Sequence, residues 1–179
     1  MDEFTEQLIK KKKGAREWGI MGAALLGGIV LLYLFLIFRP LASMLPLAIV
    51  GVAVGFWFVI SQQNIEYEYC ITNGDIDVDE IIAQRKRRRI VSVRGAKLQA
   101  IMPYTADCLA GKKVDRFVMA APSLAEPGNW VFTYTSKKSG FTAVVFQPNA
   151  KVLRMIYAGQ PRLAQLAMEK AGYDPTAPV

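Results

Sequence analysis

The chain has 179 residues, a net charge of +7, two cysteines and no histidine. Without histidine, the common Ser-His and Cys-His nucleophile pairs are absent. A structural zinc site of the usual Cys/His type is excluded as well, and two cysteines are too few for a disulfide framework. We therefore expect no metal, no cofactor and no catalytic residue, and we predict that the protein is not an enzyme.

Residues 1–17 form a basic segment ahead of a long apolar stretch. Phe4, Leu8 and Ile9 recur at helical spacing behind Asp2, which predicts a short amphipathic helix at the membrane interface. An ordinary polar lead-in, whose cations only set the membrane topology, is the alternative. The cations that would lie at the headgroup level are Lys10, Lys11, Lys12, Lys13 and Arg16.

Residues 18–60 determine the class of protein, because Arg39 is the only charged residue among them. A helix rises about 1.5 Å per residue, so about 20 apolar residues cross a bilayer core about 30 Å thick. Residues 18–38 and 41–60 meet this requirement, with Arg39-Pro40 between them. The sequence predicts a transmembrane helical hairpin, and the second span argues against a cleaved signal peptide.

The distribution of cations predicts the orientation of this hairpin. A run of lysines precedes the first span, whereas the turn between the spans carries only Arg39. The positive-inside rule then places both termini in the cytoplasm of a bacterial cell. Gly51 and Gly55 form a small-xxx-small motif, for which we expect packing within the hairpin, with homodimerisation as the alternative. Because the spans contain no ionisable group, a channel or transporter is disfavoured.

Residues 61–172 predict a cytoplasmic α+β domain in which antiparallel strands precede C-terminal helices. Residues 65–71 alternate apolar with polar side chains, and the Asn73-Gly74 pair that follows predicts a tight β-hairpin. Further strands are expected near residues 76–81, 88–93, 114–120, 130–135 and 141–146, with a strand or short helix at 97–102. Helices are expected at 148–159 and 161–172, the first opened by Pro148, and a mobile tail at 173–179.

This order of elements resembles a pleckstrin-homology-like (PH-like) domain over residues 65–158. The run from Tyr67 to Asp79, the cationic run after it and the run from Phe141 to Asn149 are also similar to an uncharacterised family of small two-span membrane proteins of clostridial-type bacteria. The resemblance implies a bent antiparallel sheet or barrel closed by a C-terminal helix. It implies no activity, because fold alone does not carry function.

A run of five consecutive cations is the most suggestive local feature. Guanidinium groups match phosphate geometry, so the run predicts a contact with an anionic surface or a partner. A solvated strand whose charges protect a sheet edge is the alternative. The candidate contact residues are Arg85, Lys86, Arg87, Arg88, Arg89, Arg94 and Lys97.

Three further groups have ordinary explanations beside functional ones. Asp75, Asp77, Asp79 and Glu80 lack the glycine and distal glutamate of a calcium loop, so we expect a solvated face or pairing with the arginines. Lys137, Lys138 and Ser139 form a polar turn that could contact lipid or a partner. Cys70 lies in a strand pattern and is expected to be a buried thiol.

These features predict a non-enzymatic, membrane-anchored interaction module that binds a protein partner or an anionic lipid surface. A structural subunit of a larger membrane complex, including a homo-oligomer, is the second hypothesis. An enzyme of lipid or envelope metabolism is the third, and no motif favours it. Nucleic acid is disfavoured as a partner, because a domain tethered to the membrane is a less natural partner for it and no nucleic-acid motif is present.

Overall fold

The computed structural model describes residues 4–163, and the chain divides into two compact units. Of the described residues, the first unit contains 4–11, 66–81 and 87–163, and the second contains 12–65 and 82–86. The second unit contains helix α1 (Ala15–Ile37), the short helix α2 (Arg39–Ala42) and helix α3 (Leu45–Gln62). Helices α1 and α3 are long and apolar enough to cross a membrane.

The turn between the two long helices is larger than the sequence predicted. The second helix begins at Leu45 rather than at residue 41, because Arg39–Ala42 forms a separate helical turn. Pro40 and Pro46 lie in the first turns of α2 and α3. Proline lacks the backbone N–H that a helix interior requires, so each one starts a helix instead of continuing the previous one.

The close contact within the hairpin is made by a different glycine from the two that the sequence singled out. A Cβ atom on Gly28 would lie 2.7 Å from Val52 Cγ1, whereas a Cβ atom on Gly51 or Gly55 would meet no atom within 4 Å. Beside Gly51 and Gly55 the described residues therefore leave open space. Close packing of this pair, within the hairpin or between two copies, stays a prediction.

Within residues 4–163, the first unit contains eight strands in two sheets. The first sheet has the order β1-β2-β3-β4, and the second has the order β5-β7-β8-β6. The strands are β1 (Phe4–Lys10), β2 (Ile65–Thr72), β3 (Asp75–Ile82), β4 (Lys86–Val93), β5 (Leu98–Pro103), β6 (Arg116–Ala120), β7 (Trp130–Ser136) and β8 (Gly140–Phe146). A 3₁₀ turn, Gly95–Lys97, joins the sheets, and helix α4 (Ala150–Ala158) follows β8.

The predicted α+β fold is confirmed, with local differences. Strand β6 pairs with β8 in parallel, although all pairings were expected to be antiparallel. Helix α4 begins after Pro148, because the Asn149 side chain caps it by accepting a 2.8 Å hydrogen bond from Val152 N–H. The predicted second helix and the tail lie largely outside the described residues.

The N-terminal segment is a strand, so the prediction of an amphipathic helix was wrong. Strand β1 pairs antiparallel with β2 from Phe4↔Thr72 to Lys10↔Glu66. Thr5 is buried and alternates with exposed neighbours, which is the period of a half-buried strand. A helix this short is marginal in water, and pairing with β2 satisfies its backbone instead. The hairpin is thus an insertion between two paired strands.

One buried hydroxyl links the two sheets. Tyr69 on β2 is fully buried, and its hydroxyl donates to Ala120 O at the end of β6 and accepts from Gln147 N–H at 3.2 Å. Its ring meets Phe146 edge-on at 5.7 Å, and Phe146 meets Phe132 at 5.1 Å. Burial raises the pKa of Tyr69, so the hydroxyl keeps its proton and remains a donor.

The β2–β3 turn is in backbone contact with the end of α4. Asn73 and Gly74 both have positive φ, as the predicted tight turn requires. A Cβ atom on Gly74 would lie 2.9 Å from Gly159 Cα, which is closer than side chains tolerate. Only glycine permits this approach, which holds the C-terminal end of α4 against the β2–β3 turn.

We predict that Tyr69→Phe lowers the free energy of unfolding by about 1–3 kcal/mol, because the buried Ala120 carbonyl and Gln147 N–H lose their partner. Urea unfolding of the purified protein in neutral detergent measures the change. Tyr104→Phe removes the same atom from a half-buried ring and should change stability by less. Equal losses in the two variants would show that the hydroxyl of Tyr69 has no special role.

We predict that Gly74→Ala is more destabilising than Gly111→Ala, although both glycines have positive φ. Gly111 faces open space, so alanine there costs only the left-handed strain of about 1–2 kcal/mol. At Gly74 the collision with Gly159 adds about 1–3 kcal/mol of overpacking. Thermal unfolding of both variants gives the comparison, and equal melting temperatures would rule out the backbone contact.

Candidate functional site

The predicted cationic run does not form one surface. Arg87 and Arg89 both bind Asp79, with Arg87 Nε 2.9 Å from Oδ2 and Arg89 Nε 2.9 Å from Oδ1. Asp79 is only 4% exposed, whereas the two arginine side chains are about half exposed. One buried carboxylate thus holds two guanidinium groups in fixed positions.

Neighbouring carboxylates complete this arrangement, which we call the acid–base ladder. Arg87 also pairs with Glu68, Arg89 Nη1 lies 3.0 Å from Asp77 Oδ2, and Arg88 Nη2 lies 2.6 Å from Glu80 Oε2. The hydrogen bond to Asp79, followed by the charge of Asp77, raises the pKa of Arg89. The ladder consists of Glu68, Asp77, Asp79, Glu80, Arg87, Arg88 and Arg89.

The ladder has four carboxylates and three guanidinium groups, so carboxylates outnumber guanidinium groups by one and the ladder has no excess of positive charge. Its arginines are occupied by strand-to-strand pairs instead of presenting a free cationic surface. Their geometry therefore favours a role in holding the first sheet together over the predicted contact with an anionic surface.

The other two members of the run lie outside the ladder. The Arg85 guanidinium lies 5.2 Å from the centroid of the Trp57 ring, within the unit that contains the helices. This is the distance of a cation–π contact. Lys86 is exposed at the start of β4.

The cations ahead of the first apolar helix, which were predicted to lie at the headgroup level, also have different surroundings. Lys10 lies on β1, with its Nζ 3.7 Å from Glu66 Oε1. Lys11, Lys12 and Lys13 follow in the segment that leads to α1. Arg16 is exposed in the first turn of α1. The lysines thus connect the sheet to the first apolar helix.

Glu6, Glu68 and Cys70 are the one group among the described residues whose ligand atoms could surround a metal ion, since these atoms lie within 4.8 Å of one another. The arrangement is poorly suited to this role. Glu68 is already bound by Arg87. Burial, followed by the negative charge of Glu6, raises the pKa of Cys70, so its thiol stays protonated. Metals bind the thiolate.

A second concentration of cations surrounds a cavity of about 1090 Å³, which we call the basic groove. Three separate segments line it: residues 92–99 from β4 to β5, residues 134–138 at the β7–β8 turn, and residues 160–163 after α4. Its cations are Arg94, Lys97, Lys137, Lys138 and Arg162.

The groove combines residues that the sequence presented as unrelated. Arg94 and Lys97 were predicted to assist the arginine run, and Lys137 and Lys138 were treated as a separate turn. The structure separates the first pair from the ladder and joins it to the second. Arg162 was not predicted, because an isolated arginine near the C-terminus carries no local signal.

We predict that Asp79→Asn lowers the free energy of unfolding by about 1.5–3 kcal/mol, the range of hydrogen bonds to charged groups, because two guanidinium groups lose their anion. Glu80→Gln is the matched control: it removes a carboxylate that pairs with a single exposed arginine, and should cost no more than about 1 kcal/mol. Chemical unfolding in neutral detergent measures both. A smaller loss for Asp79→Asn would contradict the central role of that carboxylate.

Comparison with known proteins gives one match. The family model described as bacterial PH-like domain (DUF6106) matches residues 1–165, which includes β1 and both apolar helices. No curated protein and no solved structure matches the chain. The match covers nearly all of the chain and agrees with the sheets and closing helix described above. The chain therefore belongs to the bacterial PH-like domain family.

Proposed function

We propose that this protein is a membrane-anchored, non-enzymatic interaction module. The observation that carries the proposal is the insertion of two apolar helices between β1 and β2, which are paired neighbours. A PH-like domain built this way is tied to the membrane through both strands, at one end of the strand pair. Domains of this kind typically bind other molecules without catalysing a reaction.

The strand pairing also supports a common side for the two chain termini. The chain leaves the sheet after Lys10 and returns next to it at Glu66, since these residues are register partners. Two spans bring the chain back to the side from which it left. The lysines after β1 favour the cytoplasmic side of a bacterial membrane. At that position they would face anionic headgroups.

Membership in a larger membrane complex is the second candidate function. Gly51 and Gly55 favour it, because no atom of the hairpin fills the space beside them. Small residues at this spacing allow another membrane helix to approach closely. The anchor would then contribute to binding together with the cytoplasmic domain.

Fractionation and affinity capture test the proposal together. We expect the full chain to stay in the membrane fraction through high-salt and alkaline washes, and to retain a partner at constant stoichiometry after extraction in mild detergent. A variant in which a short Gly/Ser linker replaces residues 12–64 is the matched control. Because β1 and β2 can pair across a tight turn, it should fold and remain soluble without detergent.

Two results would contradict the proposal. Release of the full chain by salt alone would show that the apolar helices do not cross the membrane. Recovery of the chain without any partner from native membranes, under conditions that preserve other complexes, would remove the interaction role. A partner that the linker variant also retains belongs to the cytoplasmic domain, whereas one that it loses requires the hairpin.

A further inference from the structure

The two groups of cations in the PH-like domain differ in their electrostatic balance. Each ladder arginine lies against at least one carboxylate. Among the described residues, by contrast, the lining of the basic groove has five cations and no acidic residue. Within residues 4–163, none of these five forms a salt bridge. An uncompensated cluster of this size raises the local concentration of anions and attracts an acidic partner.

The distribution of charge in the groove disfavours a small ligand. Small-molecule sites usually have volumes of about 300–1,000 Å³. The groove, at about 1090 Å³, lies near the upper end of this range, so its volume does not decide the class of ligand. Its cations come from three separate segments, and Lys137 and Lys138 lie at the tip of a hairpin. Charges distributed in this way match a row of separated anions better than a single phosphate group.

The strands beside the groove indicate which kind of ligand could present such a row of anions. Strands β4 and β5 are edge strands of their sheets. Val93 at the end of β4 and Leu98 at the start of β5 both line the groove. The pairing of β5 with β7 is interrupted by a bulge between Leu98 and Ala100. A terminal strand has one side free of strand partners and can pair with an extended peptide.

The polar and apolar lining of the groove fits the two faces of such a peptide. Gln99 donates a 2.9 Å hydrogen bond to Thr135 Oγ1, so these polar side chains hold each other on the groove wall. Leu98 and Tyr134 form its floor and are only 8% and 6% exposed. In an extended peptide, alternate side chains point in opposite directions. Acidic residues can reach the cations while apolar residues between them lie on the floor.

We propose that the basic groove binds an extended acidic segment of a partner protein, in which acidic and apolar residues alternate, along the free edge of β5. The inference rests on the proposed function, because it names the site and the chemistry by which the module recognises its partner. The ladder arginines take no part in binding.

The experiment uses the full chain in neutral detergent and a short fluorescein-labelled peptide that alternates glutamate with valine and leucine. Fluorescence anisotropy measures the Kd. Lys137→Glu/Lys138→Glu should weaken binding by at least about tenfold, since two attractions become repulsions. Lys112→Glu/Lys113→Glu is the matched control: this exposed lysine pair lies outside the groove, and its reversal changes the net charge equally. It should leave the Kd within about twofold.

A second peptide, N-methylated at alternate backbone nitrogens, tests the pairing with β5. It keeps every charge but cannot donate the strand hydrogen bonds, and we expect weaker binding. Equal binding of the methylated peptide would overturn edge pairing. Equal weakening by the two lysine reversals would overturn the groove as the site, because only net charge would then matter.

Two further probes separate the classes of partner. Anionic phosphatidylglycerol vesicles and a single-stranded oligonucleotide are offered to the same variants, with the chain in neutral nanodiscs. Groove-dependent binding of either one without binding of the peptide would overturn the proposal. If native partner capture succeeds but the Lys137→Glu/Lys138→Glu variant captures as well as the wild type, the inference fails while the proposed function stands. If the wild type captures no partner, the result contradicts the proposed function itself, and the inference that rests on it falls with it.

Discussion

The pairing of β1 with β2 is the constraint on which the rest of the architecture depends. It joins a strand that precedes the apolar hairpin in the sequence with one that follows it, and Lys10 is the register partner of Glu66. Closing a flexible loop of that length would cost considerable chain entropy. Two helices that form a hairpin bring their outer ends back to one side, which lowers this cost. Anchor and sheet thus support each other: the sheet holds the hairpin ends side by side, and the hairpin presents β1 to β2.

Charge serves two purposes in the PH-like domain, and geometry distinguishes them. In the ladder, Asp79 is buried and binds two arginines, so these charges form ion pairs that join strands. Breaking such an arrangement leaves a buried carboxylate without a partner, which is why it favours one register. In the basic groove the cations have no such partners among the lining residues, so their attraction is available to another molecule. Sequence clustering alone does not separate the two cases.

Local patterns were sufficient for the elements whose cause is local. The apolar spans, the alternation in β2 and the Asn73-Gly74 turn follow from length, period and backbone preference, and the structure has each of them. The β3–β4 turn was not predictable in this way. Ala83 and Gln84 both have positive φ, although neither is a residue type that favours it. Tertiary contacts there overrule local preference.

The errors were made where the deciding partner is distant in sequence. Phe4 and Leu8 fit a helix as well as a strand, and only β2, beyond the hairpin, decides between them. Pairing of the acidic group with the arginines was one of two predicted outcomes, but the sequence did not show that Asp79 is buried and binds two of them. Arg162 could not be assigned to a site, since its neighbours in the groove come from β4, β5 and the β7–β8 turn.

The insertion of the hairpin has a consequence for biosynthesis. Strand β1 leaves the ribosome before its partner, which emerges only after both apolar helices. Until then the β1 segment has no strand to pair with. The β1–β2 edge of the sheet can therefore form only once the second helix has brought the chain back to the starting side. In the proposed membrane topology, a chain that inserts only one helix would leave β1 and β2 on opposite sides of the bilayer, so correct insertion would be a precondition for a complete domain.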